Sequence, residues 1–132
     1  MIPYDKRSGK IWYNDELVDW GDVKLHVLSH GLQYASCVFE GERVYDGEIF
    51  KLEEHTERLF YSAKRMGIDV PYSQKEIHDA IEEVTNYHSA VFNEDDEHRL
   101  MINLTRGLLG IYENNVDFDT TGPVLTLSLI HI

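Results

Sequence analysis

A single cysteine, Cys37, stands among the 132 residues, so no intrachain disulfide can staple the fold and a cysteine-rich metal site is excluded. No apolar run approaches the roughly 18 to 20 residues that a membrane-spanning helix needs. The opening MIPYDKRSGKIWYND lacks the apolar h-region of a signal peptide, so a cytoplasmic setting is expected. Basic residues are scarce: Lys+Arg total 12 against 24 Asp+Glu, a formal net charge of -12. That surface field repels phosphate backbones and anionic lipid headgroups, which makes nucleic acid and membranes poor partners. Seven histidines are scattered without HExxH or another ligand spacing, and no metal is expected. What is plentiful, 42% hydrophobic and 11% aromatic residues, suits one globular domain rather than disorder or a fibrous repeat.

Lys10 to Val18 alternates around Ile11, Trp12 and Tyr13 and carries Asn14-Asp15 before a second short run, which predicts a hairpin. Val44 to Phe50 predicts another more clearly, because Asp46-Gly47 lies between two apolar runs. From Leu52 onward, Leu52, Leu59, Phe60, Ala63 and Met66 share one helical face, and Gly67 and Pro71 close a helix of about four turns. Ser73 and Glu76 form an S-x-x-E capping box ahead of Ile77, Ala80, Ile81 and Val84, so a second helix is expected to end near His88. The acidic run Glu94-Asp95-Asp96-Glu97 reads as a solvated turn. Leu100 to Thr105 and Val124 to Leu129 read as strands joined by a loop from Gly107 to Pro123. Strands flanking a helix pair give an α+β class, an antiparallel sheet with two helices.

The last expected strand stops without cap, turn or polar tail, which would leave an apolar sheet edge uncovered and gives the chain the look of a truncation. LSLIHI, Leu127 to Ile132, also resembles the translation of a transposase adapter used in sequencing libraries. On that reading residues 1–126 are the native domain and 127–132 a non-native tail.

HGLQYASCVFEGERVYDGEIF, from His30 to Phe50, packs His, Tyr, Ser, Cys, Glu and Arg among small and aromatic residues, as a site wall would. With EEHTERLFYSAKRMGIDVPYS after it, the stretch resembles the class IV (fold-type IV) pyridoxal-phosphate aminotransferases, and within them the branched-chain amino acid enzymes. The resemblance runs from Ile11 to about Gly110 and rests on VFEGxR, the hairpin and EHxxRLxxSAK in that order. It implies the small N-terminal domain of that fold, pyridoxal 5'-phosphate as cofactor, small-molecule amino acids and 2-oxo acids as substrates, and a homodimer or higher homo-oligomer.

The resemblance implies that Arg58 holds the cofactor phosphate, a task that suits a guanidinium fork. Read from the residues alone, Arg58 is equally an exposed helix arginine paired with Glu54, one turn earlier. Tyr34 and Phe39 align with aromatic residues lining the family's side-chain pocket, and Arg43 with Tyr45 follows on the VFEGxR strand, where pairing across the hairpin is the structural alternative. HRLMINLTRG, from His98 to Gly107, departs from the branched-chain YIRP pattern, with Arg99 where its tyrosine stands and Met101 where its arginine stands. Thr105-Arg106-Gly107 looks instead like D-amino acid aminotransferases, which makes Arg106 a candidate clamp for the substrate carboxylate.

The family chemistry needs a lysine to hold the cofactor and move protons, and a carboxylate against the pyridinium nitrogen. Both lie in the family's larger C-terminal domain. None of Lys6, Lys10, Lys24, Lys51, Lys64 and Lys75 aligns with that lysine, Lys64 reading as a solvated helix residue, so no catalytic residue is expected in this chain and it should not transaminate alone. Alternatives on the same fold are a D-amino acid aminotransferase and an aminodeoxychorismate lyase. An alternative of another class is a non-catalytic binding or dimerisation module.

Overall fold

The computed structural model describes residues 3–45, 48–89, 98–105, 110–112, 115–117 and 124–131. Strands β1 (Lys10–Tyr13) and β2 (Glu16–Asp19) pair with Tyr13 opposite Glu16. The intervening Asn14 and Asp15 take φ values of 43° and 76°, the left-handed pair that a two-residue turn demands and that Asn and Asp tolerate best after glycine. A short helix α1 (His30–Tyr34) follows and ends at Ala35, with φ 54°. Its five residues are too few to show a helical period, which is why the sequence suggested only two helices. Strands β3 (Cys37–Tyr45) and β4 (Glu48–Ile49) pair with Tyr45 opposite Glu48, the register expected of the second hairpin, whose tip at 46–47 lies outside the described residues.

Helix α2 (Leu52–Arg65) closes as its sequence foretold. Gly67 sits at φ 64°, its N–H reaches Lys64 O at 3.2 Å, and Ile68 N–H reaches Ala63 O at 2.9 Å, a Schellman closure. Leu59 and Ala63 are buried and Leu52 and Phe60 partly so, but Met66, beyond the last turn, is exposed rather than part of that face. Helix α3 (Gln74–Ser89) starts on the capping box: Glu76 N–H donates to Ser73 Oγ at 3.2 Å, and Ser73 N–H donates to Glu76 Oε2 at 2.7 Å. Ser73→Ala is expected to cost about 1 kcal/mol. A urea titration reads this as a lower midpoint at unchanged slope, and an unmoved midpoint would show that the box adds nothing.

Strands β5 (His98–Thr105) and β8 (Val124–His131) run two residues beyond the expected limits, β5 at its start and β8 at its end. Between them, β6 (Gly110–Tyr112) and β7 (Asn115–Asp117) pair where a plain loop was expected, because residues of a short hairpin meet each other's backbone groups without any apolar alternation to announce it. The main sheet has the order β2-β1-β8-β5-β3-β4 with every pairing antiparallel. The last strand, expected to form an uncovered sheet edge, is instead an inner strand hydrogen-bonded to β1 and β5, and its backbone groups find partners on both sides. The acidic run 94–97 lies outside the described residues.

α2 packs on β3, and α3 packs on β1 and β8, so one face of the sheet is covered. Trp12, Leu59, Ile77, Ile81, Val84 and Leu127 meet in that layer. Gly9, at φ 123°, lets β1 approach α3, since a Cβ there would lie 2.9 Å from the His88 ring, whose Nε2 in turn contacts Lys10 O at 2.9 Å.

Candidate functional site

Strand β3 carries the VFEGxR motif and alternates strictly. Val38, Glu40, Glu42 and Val44 are buried under the helices, while Cys37, Phe39, Gly41 and Tyr45 point outward exposed and Arg43 half-buried. A strand's period of two makes this choice for all nine residues at once. The motif is thereby split in two: Phe39 and Arg43 belong to the open face, and Glu40 to the helix-covered one.

On the covered side, α2 brings His55 and Arg58, three residues apart and so on one helical face, over Glu40. Arg58 Nε donates to Glu40 Oε1 at 2.7 Å and Arg58 Nη2 to Oε2 at 2.6 Å, a side-on bidentate pair. His55 Nδ1 lies 2.8 Å from the same Oε2. An ionised carboxylate only accepts, so that nitrogen carries the proton. Burial pushes the Glu40 carboxyl up, but hydrogen bonds and charge from Arg58 and His55 outweigh it and hold the group below the usual carboxylate range. The pairing of Arg58 with Glu54 suggested by sequence spacing does not form. Glu54 sits instead 3.6 Å from Lys51, because the strand carboxylate is fixed and buried whereas Glu54 faces water.

Glu42, two residues along the same face, has a different fate. It is 1% exposed, and neither carboxylate oxygen finds a hydrogen-bond partner among the described residues. Burial, with the nearby Glu40 charge adding to it, pushes this carboxyl up to about 8.

Phe39, on the open face, is 66% exposed, and Tyr34, at the end of α1, is 58% exposed. In register, Gly41 stands opposite Met101 and Arg43 opposite Arg99, so the two β5 positions that break the YIRP pattern neighbour the motif strand. Tyr45 stacks edge-on with Phe50 at 6.4 Å, the hairpin role foreseen as its alternative. Lys64 is exposed on α2, and Arg106 lies outside the described residues. The structure thus joins Arg58 to Glu40 and His55 and groups Phe39 and Arg43 on the other face. Sequence reasoning missed Glu40, His55 and Glu42. A signal existed, since the two glutamates fall in phase with Val38 and Val44. Among the described residues, no His, Cys, Asp and Glu cluster could hold a metal ion, and no helix is long and apolar enough to cross a membrane.

Arg58 can still bind an anion. Its pair with Glu40 uses Nε and Nη2, Nη1 has no hydrogen-bond partner among the described residues, and the side chain is 64% exposed. An exposed guanidinium with unused N–H donors fits a phosphate group.

Comparison with known proteins sets these features in a family. Residues 37–130 match the family described as amino-transferase class IV. A probable branched-chain-amino-acid aminotransferase of Rickettsia typhi is 48% identical over 77 residues, 58% of this chain and 27% of that protein. The branched-chain amino acid aminotransferase of Escherichia coli superposes with a TM-score of 0.78 at 30% identity, covering 94% of this chain and 41% of that one. A third branched-chain amino acid aminotransferase, solved with pyridoxamine 5'-phosphate, does so with a TM-score of 0.78 at 28% identity, covering 93% of this chain and 40% of that one. The chain therefore spans well under half the length of the proteins it matches. With the β3 motif strand, the helix that carries Arg58, β5 and all but the last residue of β8 inside the matched region, the chain belongs to the class IV aminotransferases.

Proposed function

We propose that this chain is the N-terminal part of a pyridoxal-phosphate-dependent transaminase that moves amino groups between branched-chain amino acids and 2-oxoglutarate. The observation that carries the reading is the Arg58 guanidinium, anchored side-on to Glu40 while its side chain stays 64% exposed. That guanidinium would hold the cofactor phosphate. When bound, the cofactor supplies an electron sink that protein side chains lack. The exposed Tyr34 and Phe39 would wall the site against water and receive an aliphatic side chain, with Arg43 and Arg106 as candidate carboxylate partners. The lysine that holds the cofactor and the carboxylate facing its ring nitrogen would come from the remainder of the protein, and the full-length protein would assemble as a homodimer or higher homo-oligomer. The names of the similar proteins support the substrate class, and the similar enzyme solved with pyridoxamine 5'-phosphate supports the cofactor.

The test has two steps. Sequencing the source locus through the codons for Pro123 to Ile132 and onward is expected to reveal a reading frame that continues into a domain with a lysine and a carboxylate placed for this chemistry. A stop after Ile132 would favour the non-catalytic module. In the full-length protein, Arg58→Ala is expected to weaken pyridoxal 5'-phosphate binding about 10- to 100-fold, while the 132-residue chain alone shows no transamination. The same full-length protein should accept L-leucine over D-alanine, and the reverse preference would move the assignment to a D-amino acid aminotransferase.

A further inference from the structure

We infer that Glu40, seconded by His55, is a positioning residue that aims Arg58 at the cofactor phosphate; this rests on the role proposed for Arg58 above. Arginine on the surface of a helix has a long stem with many rotamers, and an end-on grip on phosphate needs one of them. Three contacts select it here. Glu40 Oε1 takes Nε at 2.7 Å, Oε2 takes Nη2 at 2.6 Å, and His55 Nδ1, 2.8 Å away, donates to Oε2 as well.

The carboxylate is itself immobile, because Glu40 is 3% exposed, sits inside a paired strand opposite Ile102 and is roofed by α2. The guanidinium plane is thereby fixed from a rigid floor rather than from a flexible surface chain, and the two Nη1 protons with the second Nη2 proton are left for the end-on grip. The arrangement also cancels most of the arginine's net charge. Phosphate would then be recognised by aimed N–H groups more than by bulk attraction, in a chain whose formal net charge of -12 offers no attraction of its own.

This makes an unusual sign for a charge deletion. Glu40→Gln frees a positive charge, which by attraction alone would tighten phosphate binding. Its amide NH2 faces the arginine donors, however, and breaks one of the two contacts that hold the plane. The expected result in the full-length protein is about tenfold weaker binding of pyridoxal 5'-phosphate, read from its visible absorbance, a shifted 31P resonance of bound phosphate, and kcat at saturating cofactor within about twofold of the parent.

In an Arg58→Ala background, Glu40→Gln should change cofactor affinity no further, since it acts through the arginine. His55→Ala, which removes a half-buried side chain of α2 and leaves the bidentate pair in place, should weaken binding by a smaller factor and serves if Glu40→Gln fails to fold. Tighter binding by Glu40→Gln would make the carboxylate a quencher of charge and overturn the inference. So would weakening that persists undiminished without Arg58, which is the mark of a general structural role, or an unmoved 31P resonance. Failure of the Arg58 reading is a separate result: Arg58→Ala alone would then leave affinity unchanged.

Discussion

Glu42→Met should make the protein more stable at every pH, by about 1 to 3 kcal/mol in mild acid and by more above about pH 8. In mild acid the buried carboxyl is neutral yet lacks a hydrogen-bond partner among the described residues, and an unsatisfied buried polar group costs about 1 to 3 kcal/mol. Methionine has nearly the same length and no polar atom to desolvate. The pH dependence follows from the shift. The group titrates at 4.5 when unperturbed and at about 8 in the fold, so between those values the folded state keeps a proton that the unfolded chain has released. Raising the pH then favours unfolding, with the loss starting above 4.5 and complete above about 8. At about 1.36 kcal/mol per pH unit the ceiling is about 5 kcal/mol, an upper bound because water entry and relaxation reduce it.

Urea titrations of parent, Glu42→Met and Glu42→Gln from about pH 5 to about pH 9 give the answer by difference, since every other titrating group is shared. Both variants should lack the falling component seen in the parent, and Glu42→Gln, which keeps a buried polar group, should gain less than Glu42→Met. Curves that stay parallel across the range would show an ionised and well-partnered Glu42.

Leu127→Ala should cost about 2 to 5 kcal/mol. The side chain is 0% exposed, its residue stands opposite Trp12 on one side and Ile102 on the other, and β8 is flanked by paired strands with no room to collapse around a void. A chain ending at Thr126 should do worse. It would lose the pairings of residues 127–131 with β5 and of Leu127 and Ser128 with β1, and so open the sheet at its middle. Circular dichroism and a cooperative urea transition separate the cases. A shortened chain that still melts cooperatively at an unchanged midpoint would mean that residues 127–131 add nothing to the fold.

Much of this architecture is legible in the sequence because its signals are local. Asn14-Asp15, Gly67 and the Ser73/Glu76 box act within a few residues of themselves, and all three sit where their chemistry requires. Ile77, Ala80, Ile81 and Val84 are buried as their spacing demands. What escaped was short or long-range. The five residues of α1 and the three-residue strands β6 and β7 hold too few positions to establish a period. The site was legible in half: the motif order pointed to Arg58, and spacing along the helix offered Glu54 as its partner, yet the partner is Glu40, 18 residues earlier.

By itself the sequence determined the α+β class, the hairpins, the two long helices with their caps and the family, since each depends on neighbours in the chain or on residues kept in order. Tertiary structure alone decided that the last strand lies inside the sheet, that VFEGxR presents opposite faces to water and to α2, and that one buried glutamate is paired while the next has no partner among the described residues. The reason is physical. A strand's alternation says which residues share a face but not which face is covered, and a carboxylate's charge depends on whether a helix brings an arginine over it or only apolar side chains.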